Sequence, residues 1–152
     1  MAQNAAMRIV SISAELHVFD ARVNYEEPLR FAVNFDDGSL IRLARMGDGE
    51  GVIIDRLPLE EPMNFEECGR TATFDVTERL DETLRNSEIH ELLAIRSPSS
   101  KLIGLALARD GGERFCIWMD GGDEFHWGPE SVLANWTWAP GGDGKIGSSI
   151  QV

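Results

Sequence analysis

The stretch that decides the fold is Leu29-Arg-Phe-Ala-Val-Asn-Phe-Asp-Asp-Gly-Ser-Leu-Ile-Arg-Leu-Ala44. Large apolar residues alternate with other residues before and after its Asp-Asp-Gly turn, a pattern that predicts the two strands of a hairpin. A three-residue loop with Gly38 in the left-handed conformation sets Val33 opposite Ile41. A two-residue loop sets Val33 opposite Arg42 instead, so the pattern favours the first register and an antiparallel sheet.

Further strands are predicted on both sides of this hairpin, from alternation and from the turn residues that bound each run. Residues 8–19 form a first strand whose two sides are not cleanly resolved by the pattern. Residues 52–55 extend the hairpin to a three-stranded meander. The remaining predicted strands cover residues 71–74, 89–96, 102–109 and 113–119.

One short helix is predicted between the two groups of strands. Asp75 and Glu78 have the spacing of an N-cap residue and its return partner at the third helical position. Val76, Leu80 and Leu84 then fall at four-residue steps and form one apolar stripe. Because the stripe is narrow, we expect the helix to lie on one face of the sheet.

Two glycine pairs predict a second meander. A two-residue turn at Gly111-Gly112 pairs Leu107 with Cys116. A second such turn at Gly121-Gly122 pairs Cys116 with Trp127. The middle strand is then apolar on both faces, which predicts a central strand covered on both sides. One face is expected to hold Leu105, Leu107, Cys116, Trp118, Phe125 and Trp127, and the opposite face Ala106, Ala108, Phe115, Ile117 and Met119.

These elements predict an α+β class: a mainly antiparallel sheet of two β-meanders with one short helix packed on a face. The length of 152 residues fits one domain, which we place at residues 1–138. Residues 139–152 are rich in Gly and Ser and are expected to form a flexible tail. No signal peptide or membrane span is indicated, and two cysteines are too few for a disulfide framework, so a cytoplasmic protein is expected.

The charge is the strongest indication of function. Asp and Glu number 26 against 14 Lys and Arg, which gives a net charge of −12. A nucleic-acid partner is disfavoured, because phosphate backbones are bound through Lys and Arg. A folded acidic surface favours a protein partner with a basic surface, toward which charge steers association. An acidic protein that imitates nucleic acid is also compatible with this composition.

The acidic connection at residues 57–69 supplies the first candidate contacts. It contains two prolines and four glutamates, so we expect a surface segment without regular structure. Glu60 and Glu61 are candidates for steering charges, and Phe65 for an apolar anchor. The alternative is that Met63 and Phe65 tuck into the sheet edge while the glutamates are merely solvated.

A second group of candidate contacts lies at a predicted hairpin tip. Asp120, Asp123 and Glu124 surround the second glycine pair. Turn chemistry alone favours Asp and Gly at such tips. Acidic tips on one edge of the sheet would together form a patch complementary to a basic groove.

All four tryptophans fall in the last quarter of the chain. Trp118 and Trp127 are assigned to packing. Trp136 and Trp138, on either side of Thr137, are the better candidates for an exposed pair, and Trp136 is the candidate contact. The cluster also permits a different function, a small-ligand or carbohydrate-binding module that stacks its ligand on the tryptophan rings.

Catalytic and metal-binding patterns are weak. His17, His90 and His126 lie on different predicted elements, and His126 follows the acidic turn Asp120-Gly-Gly-Asp-Glu124. No second His stands at a ligand spacing, so a solvated turn is the better interpretation. The sequence contains no phosphate loop, dinucleotide fingerprint or nucleophile elbow. It therefore favours a non-enzyme, with no metal or cofactor.

Several features follow one another along residues 29–128. These are the turn Phe35-Asp36-Asp37-Gly38-Ser39-Leu40, an acidic connection with proline, a short helix, and Glu91-Leu92-Leu93-Ala94-Ile95 before a glycine-containing hairpin. This plan resembles the small acidic immunity-type proteins encoded beside secreted bacterial toxins. That family usually has Asp-Gly in the later hairpin, where this chain has Gly111-Gly112, and no binding residue is carried over.

The resemblance implies a protein that binds and neutralises a cognate toxin through a tight, acidic interface. We expect the acids to steer association and the aromatics to anchor the complex. An enzyme with a carboxylate near His126 is the least favoured class, and a homodimer through a sheet edge is compatible with each interpretation. The expected contacts are Glu60, Glu61, Phe65, Asp120, Asp123, Glu124 and Trp136.

Overall fold

The computed structural model describes residues 7–47, 51–59, 63–110, 112–119, 124–135 and 145–150. Strands account for 56% of them, and the described helices have at most five residues, so the class is mainly antiparallel β, richer in strand than the α+β prediction. The helical elements are a 3-10 turn (Glu66–Cys68), α1 (Thr77–Leu80) and α2 (Glu130–Ala134). The strands are β1 (Met7–Phe19), β2 (Arg22–Val23), β3 (Arg30–Phe35), β4 (Leu40–Arg45), β5 (Val52–Asp55), β6 (Arg70–Asp75), β7 (Glu88–Arg96), β8 (Leu102–Arg109), β9 (Phe115–Met119), β10 (Phe125–Pro129) and β11 (Lys145–Ser149).

A single hydrogen-bonded path joins the strands in the order β10-β9-β8-β7-β1-β3-β4-β5. β2 and β6 pair with β1, and β11 pairs with β7. We call β1–β6 the N-terminal half and β7–β11 the C-terminal half. Phe31 on β3 contacts Phe125 on β10 edge to face, with ring centroids 5.3 Å apart, although the two strands are distant along the path. The sheet therefore folds over so that its halves face each other.

Two apolar cores result from this arrangement. The main core fills the space between the facing halves, and a smaller core lies on the other side of the C-terminal half. Leu133 of α2 and Ile146 of β11 pack into the smaller core. β9 is buried along its whole length, as its central position predicts, because it has a core on each face. The smaller core also holds Leu93, Ile95, Ile103, Ala106, Cys116 and Trp118.

The first hairpin has the predicted register. Val33 on β3 pairs with Ile41 on β4. Gly38 has a φ of 87°, and the amide of Phe35 donates to the carbonyl of Ser39 at 2.9 Å, which closes a three-residue loop. This left-handed conformation is the one that a residue without Cβ adopts at least cost.

A β-bulge explains why β1 does not alternate cleanly. Ile9 pairs with Phe35, but the next pair is Ser11 with Asn34, so Val10 is an extra residue. Val10 is consequently exposed, while Ile9 is fully buried. Beyond the bulge the alternation is regular, because one inserted residue moves all later side chains to the other face.

The predicted helix is present only as a single turn, Thr77–Leu80, so the prediction of a helix that continues through Leu84 is wrong. Asp75 accepts hydrogen bonds from the amide and hydroxyl of Thr77, so an Asx turn opens α1. Asp81 makes the same kind of turn with Thr83 and has an extended backbone, which ends the helix. Side-chain bonds of this kind compete with helical hydrogen bonds. Leu84 is nevertheless fully buried.

Both predicted registers of the second meander are wrong by one residue. Leu107 pairs with Phe115 and Ala106 with Cys116, so the loop between β8 and β9 is longer than two residues. Trp127 pairs with Ile117 in place of Cys116. The faces change accordingly. The main core holds Leu105, Leu107, Phe115, Ile117, Met119 and Phe125, with Trp127 packed against it, and Ala106, Cys116 and Trp118 face the smaller core.

Gly104 shows why the observed register fits. It lies opposite Trp118, and a Cβ on Gly104 would stand 2.2 Å from the carbonyl oxygen of Ile117. The bulky indole therefore faces the one residue of β8 without a side chain.

The Gly- and Ser-rich segment, predicted to be a flexible tail, contains β11. Ile146 pairs with Ile95 of β7, and the amide of Ile150 donates to the carbonyl of Leu92 at 2.8 Å. Residues 139–144 and 151–152 lie outside the described residues.

Candidate functional site

The outer face of the N-terminal half carries polar residues held in rows by the strand register. Glu15 of β1 lies opposite Arg30 of β3, which in turn lies opposite Ala44 of β4. Nη1 of Arg30 is 3.0 Å from Oε2 of Glu15, and the Glu15 residue is only 5% exposed. A carboxylate buried to this extent needs a cationic partner to offset its desolvation.

A second ion pair stands in the next row. Nε and Nη2 of Arg42 donate to the two carboxylate oxygens of Asp55 at 2.9 and 2.6 Å, a bidentate arrangement. The hydrogen bonds from Arg42 lower the pKa of Asp55 below its ordinary value, despite partial burial that acts in the opposite direction. This face is therefore fixed by specific polar contacts.

A short segment, residues 63–69, crosses this face. We call it the crossing segment. Met63 and Thr71 are joined by two hydrogen bonds: the Met63 amide donates to Thr71 Oγ1, and the Thr71 amide donates to the Met63 carbonyl, each at 2.8 Å. The amide of Phe65 donates to the carbonyl of Gly69 at 2.7 Å. The segment is thus folded back on β6 and held at both ends.

His17 of β1 holds the crossing segment against the sheet through a hydrogen bond. Its Nε2 is 2.7 Å from the carbonyl oxygen of Cys68. A carbonyl only accepts, so Nε2 carries the proton of this hydrogen bond. Gly69 has a φ of 91°, and a Cβ there would stand 2.9 Å from His17 Nε2 and 2.4 Å from the Val18 carbonyl. Glycine is therefore needed where the segment approaches β1.

A cleft of about 400 Å³ opens between the crossing segment and the sheet. Its floor is polar, with Glu15, His17 and Arg30, and its walls include Met63 and Phe65. These two side chains line the cleft and yet remain 48% and 44% exposed. The cleft thus combines apolar edges with a charged, hydrogen-bonded floor.

Of the predicted contacts, the structure describes Phe65 and Glu124. Phe65 lies over the outer face of β1 and β3. Glu124 is exposed and precedes Phe125, which packs on the inner face of β3 through Phe31. The two residues are therefore on opposite sides of the N-terminal half. The other predicted contacts, Glu60, Glu61, Asp120, Asp123 and Trp136, lie outside the described residues.

The tryptophans that the structure describes have packing roles. Trp118 is fully buried in the smaller core. Trp127 packs against the main core, with its ring 6.1 Å from that of Phe31. They point to opposite faces of the C-terminal half and cannot form one stacking platform.

The cysteines differ in environment. Burial raises the pKa of the Cys116 thiol to about 12, so this thiol stays protonated and unreactive near neutral pH. Cys68 is exposed in the crossing segment, and both cysteines are free thiols.

A cluster of three possible metal ligands was not predicted from the sequence, where acidic residues were considered only near His126. Glu88, His90 and Asp110 place one ligand atom each within 4.8 Å of one another. Glu88 and His90 are two residues apart on β7, and Asp110 follows β8, the hairpin partner of β7. The signal that would have indicated it is Glu88 directly before the predicted strand 89–96, His90 within that strand, and Asp110 just past the next predicted strand.

Neither a family model, nor a curated protein, nor a solved structure matches this chain. Among the described helices, none combines the length and the apolar composition needed to cross a membrane.

Proposed function

We propose that this protein binds another protein through the cleft and the crossing segment, and that it acts as an immunity-type protein that neutralises a cognate bacterial toxin. The observation that supports this best is the presentation of Met63 and Phe65. Both are about half exposed on a segment that is fixed by hydrogen bonds to Thr71 and Gly69. Rigid, exposed apolar side chains lose little entropy when a partner covers them, which is typical of interface anchors.

Charge favours a partner with a basic surface. Glu66 and Glu67 are exposed directly beside Phe65, and the whole chain carries a net charge of −12. Acidic residues around an apolar anchor exclude water from it and steer a cationic partner during encounter. The Glu66 and Glu67 side chains would form the rim of the interface and Phe65 its centre.

The resemblance to immunity-type proteins implies that this partner is a bacterial toxin. Toxins that cleave nucleic acids need a basic groove for phosphates. An acidic protein that covers such a groove blocks substrate binding. Its acidic residues are attracted by the same basic residues that bind phosphates. The protein would then act by steric and electrostatic occlusion, with no chemistry of its own.

The test is capture of a partner from lysate of the native host at low and high salt, using tagged wild type, Phe65→Ala and Val132→Ala. Val132 is exposed to a similar extent on α2 and serves as the matched control. We expect wild type and Val132→Ala to retain one stoichiometric protein, and Phe65→Ala to bind it about tenfold or more weakly. The association rate should fall with salt, because the acidic residues are exposed and screened.

A second measurement addresses neutralisation. The captured protein is expressed alone and together with wild type or Phe65→Ala, and growth is followed. Growth arrest relieved by wild type and less well by Phe65→Ala is expected. A captured protein that is harmless when expressed alone would contradict the immunity role, and equal capture by Phe65→Ala would contradict the proposed docking face.

The cleft itself favours one alternative, a small-ligand site. Its volume of about 400 Å³ falls in the range of ligand pockets. This alternative predicts that a small molecule raises the melting temperature of wild type and that Phe65→Ala, which opens one wall, reduces that shift. It replaces the Trp platform, whose described members are packed in the cores.

A further inference from the structure

The cluster of Glu88, His90 and Asp110 lies at the opposite end of β1 from the cleft. Glu88 pairs with Arg8 at the start of β1, whereas Glu15 and His17 line the cleft near its end. Any role of the cluster is therefore separate from the proposed docking face.

The backbone builds this cluster through a second β-bulge. Ile89 pairs with Arg109, but the next pair is Glu91 with Ala108, so His90 has no partner residue on β8. Bulges redirect a side chain out of the regular alternation and recur beside functional sites. Here the bulge sets the imidazole next to Asp110, where β8 ends.

The imidazole nitrogen at this position faces a carboxylate but has no aligned hydrogen bond. His90 Nε2 is shielded from solvent and makes no hydrogen bond among the described residues. Asp110 Oδ2 stands 2.9 Å away, within ion-pair distance, but without hydrogen-bond alignment. An imidazole nitrogen and a carboxylate oxygen that face each other without an aligned hydrogen bond can both ligate a cation. We propose that Glu88, His90 and Asp110 bind a divalent transition-metal ion, with Zn²⁺ as the best match.

The ligand chemistry supports this choice of metal. One imidazole nitrogen and two carboxylates form a set that Zn²⁺ accepts, with a fourth position left for water or for a group of another molecule. Hard ions such as Ca²⁺ prefer six or more oxygen ligands, which this cluster does not offer. Glu88 and Asp110 are exposed, so an ion can reach the cluster from solvent without opening the fold.

Arg8 is expected to lower the affinity of the cluster for a metal ion. Its Nη2 is 2.6 Å from Oε1 of Glu88 and its Nη1 donates to the carbonyl of Asn86. The guanidinium holds the Glu88 carboxylate in place, but its positive charge opposes a second cation nearby. We therefore expect binding that is weaker than at a structural zinc site, and that becomes stronger when the charge of Arg8 is removed.

The experiment uses tag-free, chelator-treated protein titrated with ZnCl₂ in a calorimeter, with Co²⁺ absorption as an independent report of nitrogen ligation. The variants are His90→Gln, Asp110→Asn and Arg8→Gln. The matched control is His126→Gln. His126 lies on β10 and is also partly buried, but it packs beside the ring of Trp118. Circular dichroism confirms that each variant is folded.

We expect one Zn²⁺ per chain, about tenfold or more weaker binding in His90→Gln and Asp110→Asn, unchanged binding in His126→Gln, and tighter binding in Arg8→Gln. The absorption spectrum of bound Co²⁺ should change in His90→Gln. Saturable binding that persists unchanged in both His90→Gln and Asp110→Asn would overturn the proposal, as would the lack of saturable binding by folded wild type at millimolar Zn²⁺.

Discussion

The two halves of the sheet bury different kinds of surface. The C-terminal half is apolar on both faces, and every residue of β9 is buried between two cores. The N-terminal half faces the core on one side only, and its outer side buries the charged residues Glu15 and Arg42. Buried ion pairs contribute little to stability compared with apolar packing. The C-terminal half is therefore the more apolar scaffold, and the N-terminal half carries the proposed docking face.

The largest expected effect comes from filling the tightest contact in the C-terminal half. In Gly104→Ala the new methyl group would stand 2.2 Å from the Ile117 carbonyl oxygen, and the backbone must move to accept it. We expect a loss of about 4 kcal/mol or more in the free energy of unfolding, measured by urea denaturation.

The control for this variant is Gly47→Ala in the N-terminal half, where no atom lies within 4 Å of the position of the added Cβ. Its stability should match that of wild type within about 0.5 kcal/mol. A similar loss in both variants would remove the distinction between the halves.

A smaller effect is expected from breaking the buried ion pair of the N-terminal half. Glu15→Ala leaves Arg30 without this carboxylate on the cleft floor, and we expect a loss of about 2 to 3 kcal/mol. The comparison variant is Arg114→Gln, because Arg114 and Glu130 form an exposed pair 3.9 Å apart in the C-terminal half. Urea denaturation should show a change of about 0.5 kcal/mol or less there. Equal losses of stability in the two variants would mean that burial does not determine how much these ion pairs contribute to stability.

The smallest effect concerns pH and Asp55. Its folded-state pKa is lowered, so the stability that it contributes is present above its unfolded pKa of about 3.9 and is lost as pH falls through the folded value. At pH 7, Asp55→Asn should be less stable than wild type by about 1 to 2 kcal/mol. Urea denaturation at a series of pH values should show this difference shrinking below about pH 4. A difference that stays constant down to pH 2 would contradict the role of the Arg42 pair.

The first meander was predictable because one side of it is polar. A wrong register would bury Arg42 opposite Val33, so pattern and turn chemistry agree on one alignment. In the second meander both faces are apolar, and a shift by one residue exchanges Leu107 and Ala106 without exposing a charge. The turn was then the only guide, and a glycine pair permits loops of different length.

The candidate sites also differ in how far the sequence alone reveals them. Phe65 could be named as a candidate contact because an apolar residue in an acidic surface segment is visible in the sequence. The Glu15 and Arg30 pair and the Glu88, His90 and Asp110 cluster depend on strand register and on a bulge at His90, which sequence alternation does not show. The short α1 was overestimated because spacing alone does not reveal that Asp81 forms a competing Asx turn.

The pairing of β1 has a consequence for how the chain folds. Its first residues pair with β7, and the contact between Arg8 and Glu88 joins residues 80 positions apart in sequence. Such distant pairings must close long loops before they stabilise anything, so folding should be slow for a domain of this size. Until β7 has emerged, a nascent chain would also expose an unpaired strand edge that can associate with other chains. The central strand therefore couples both halves into one cooperative unit and delays its completion until late in synthesis.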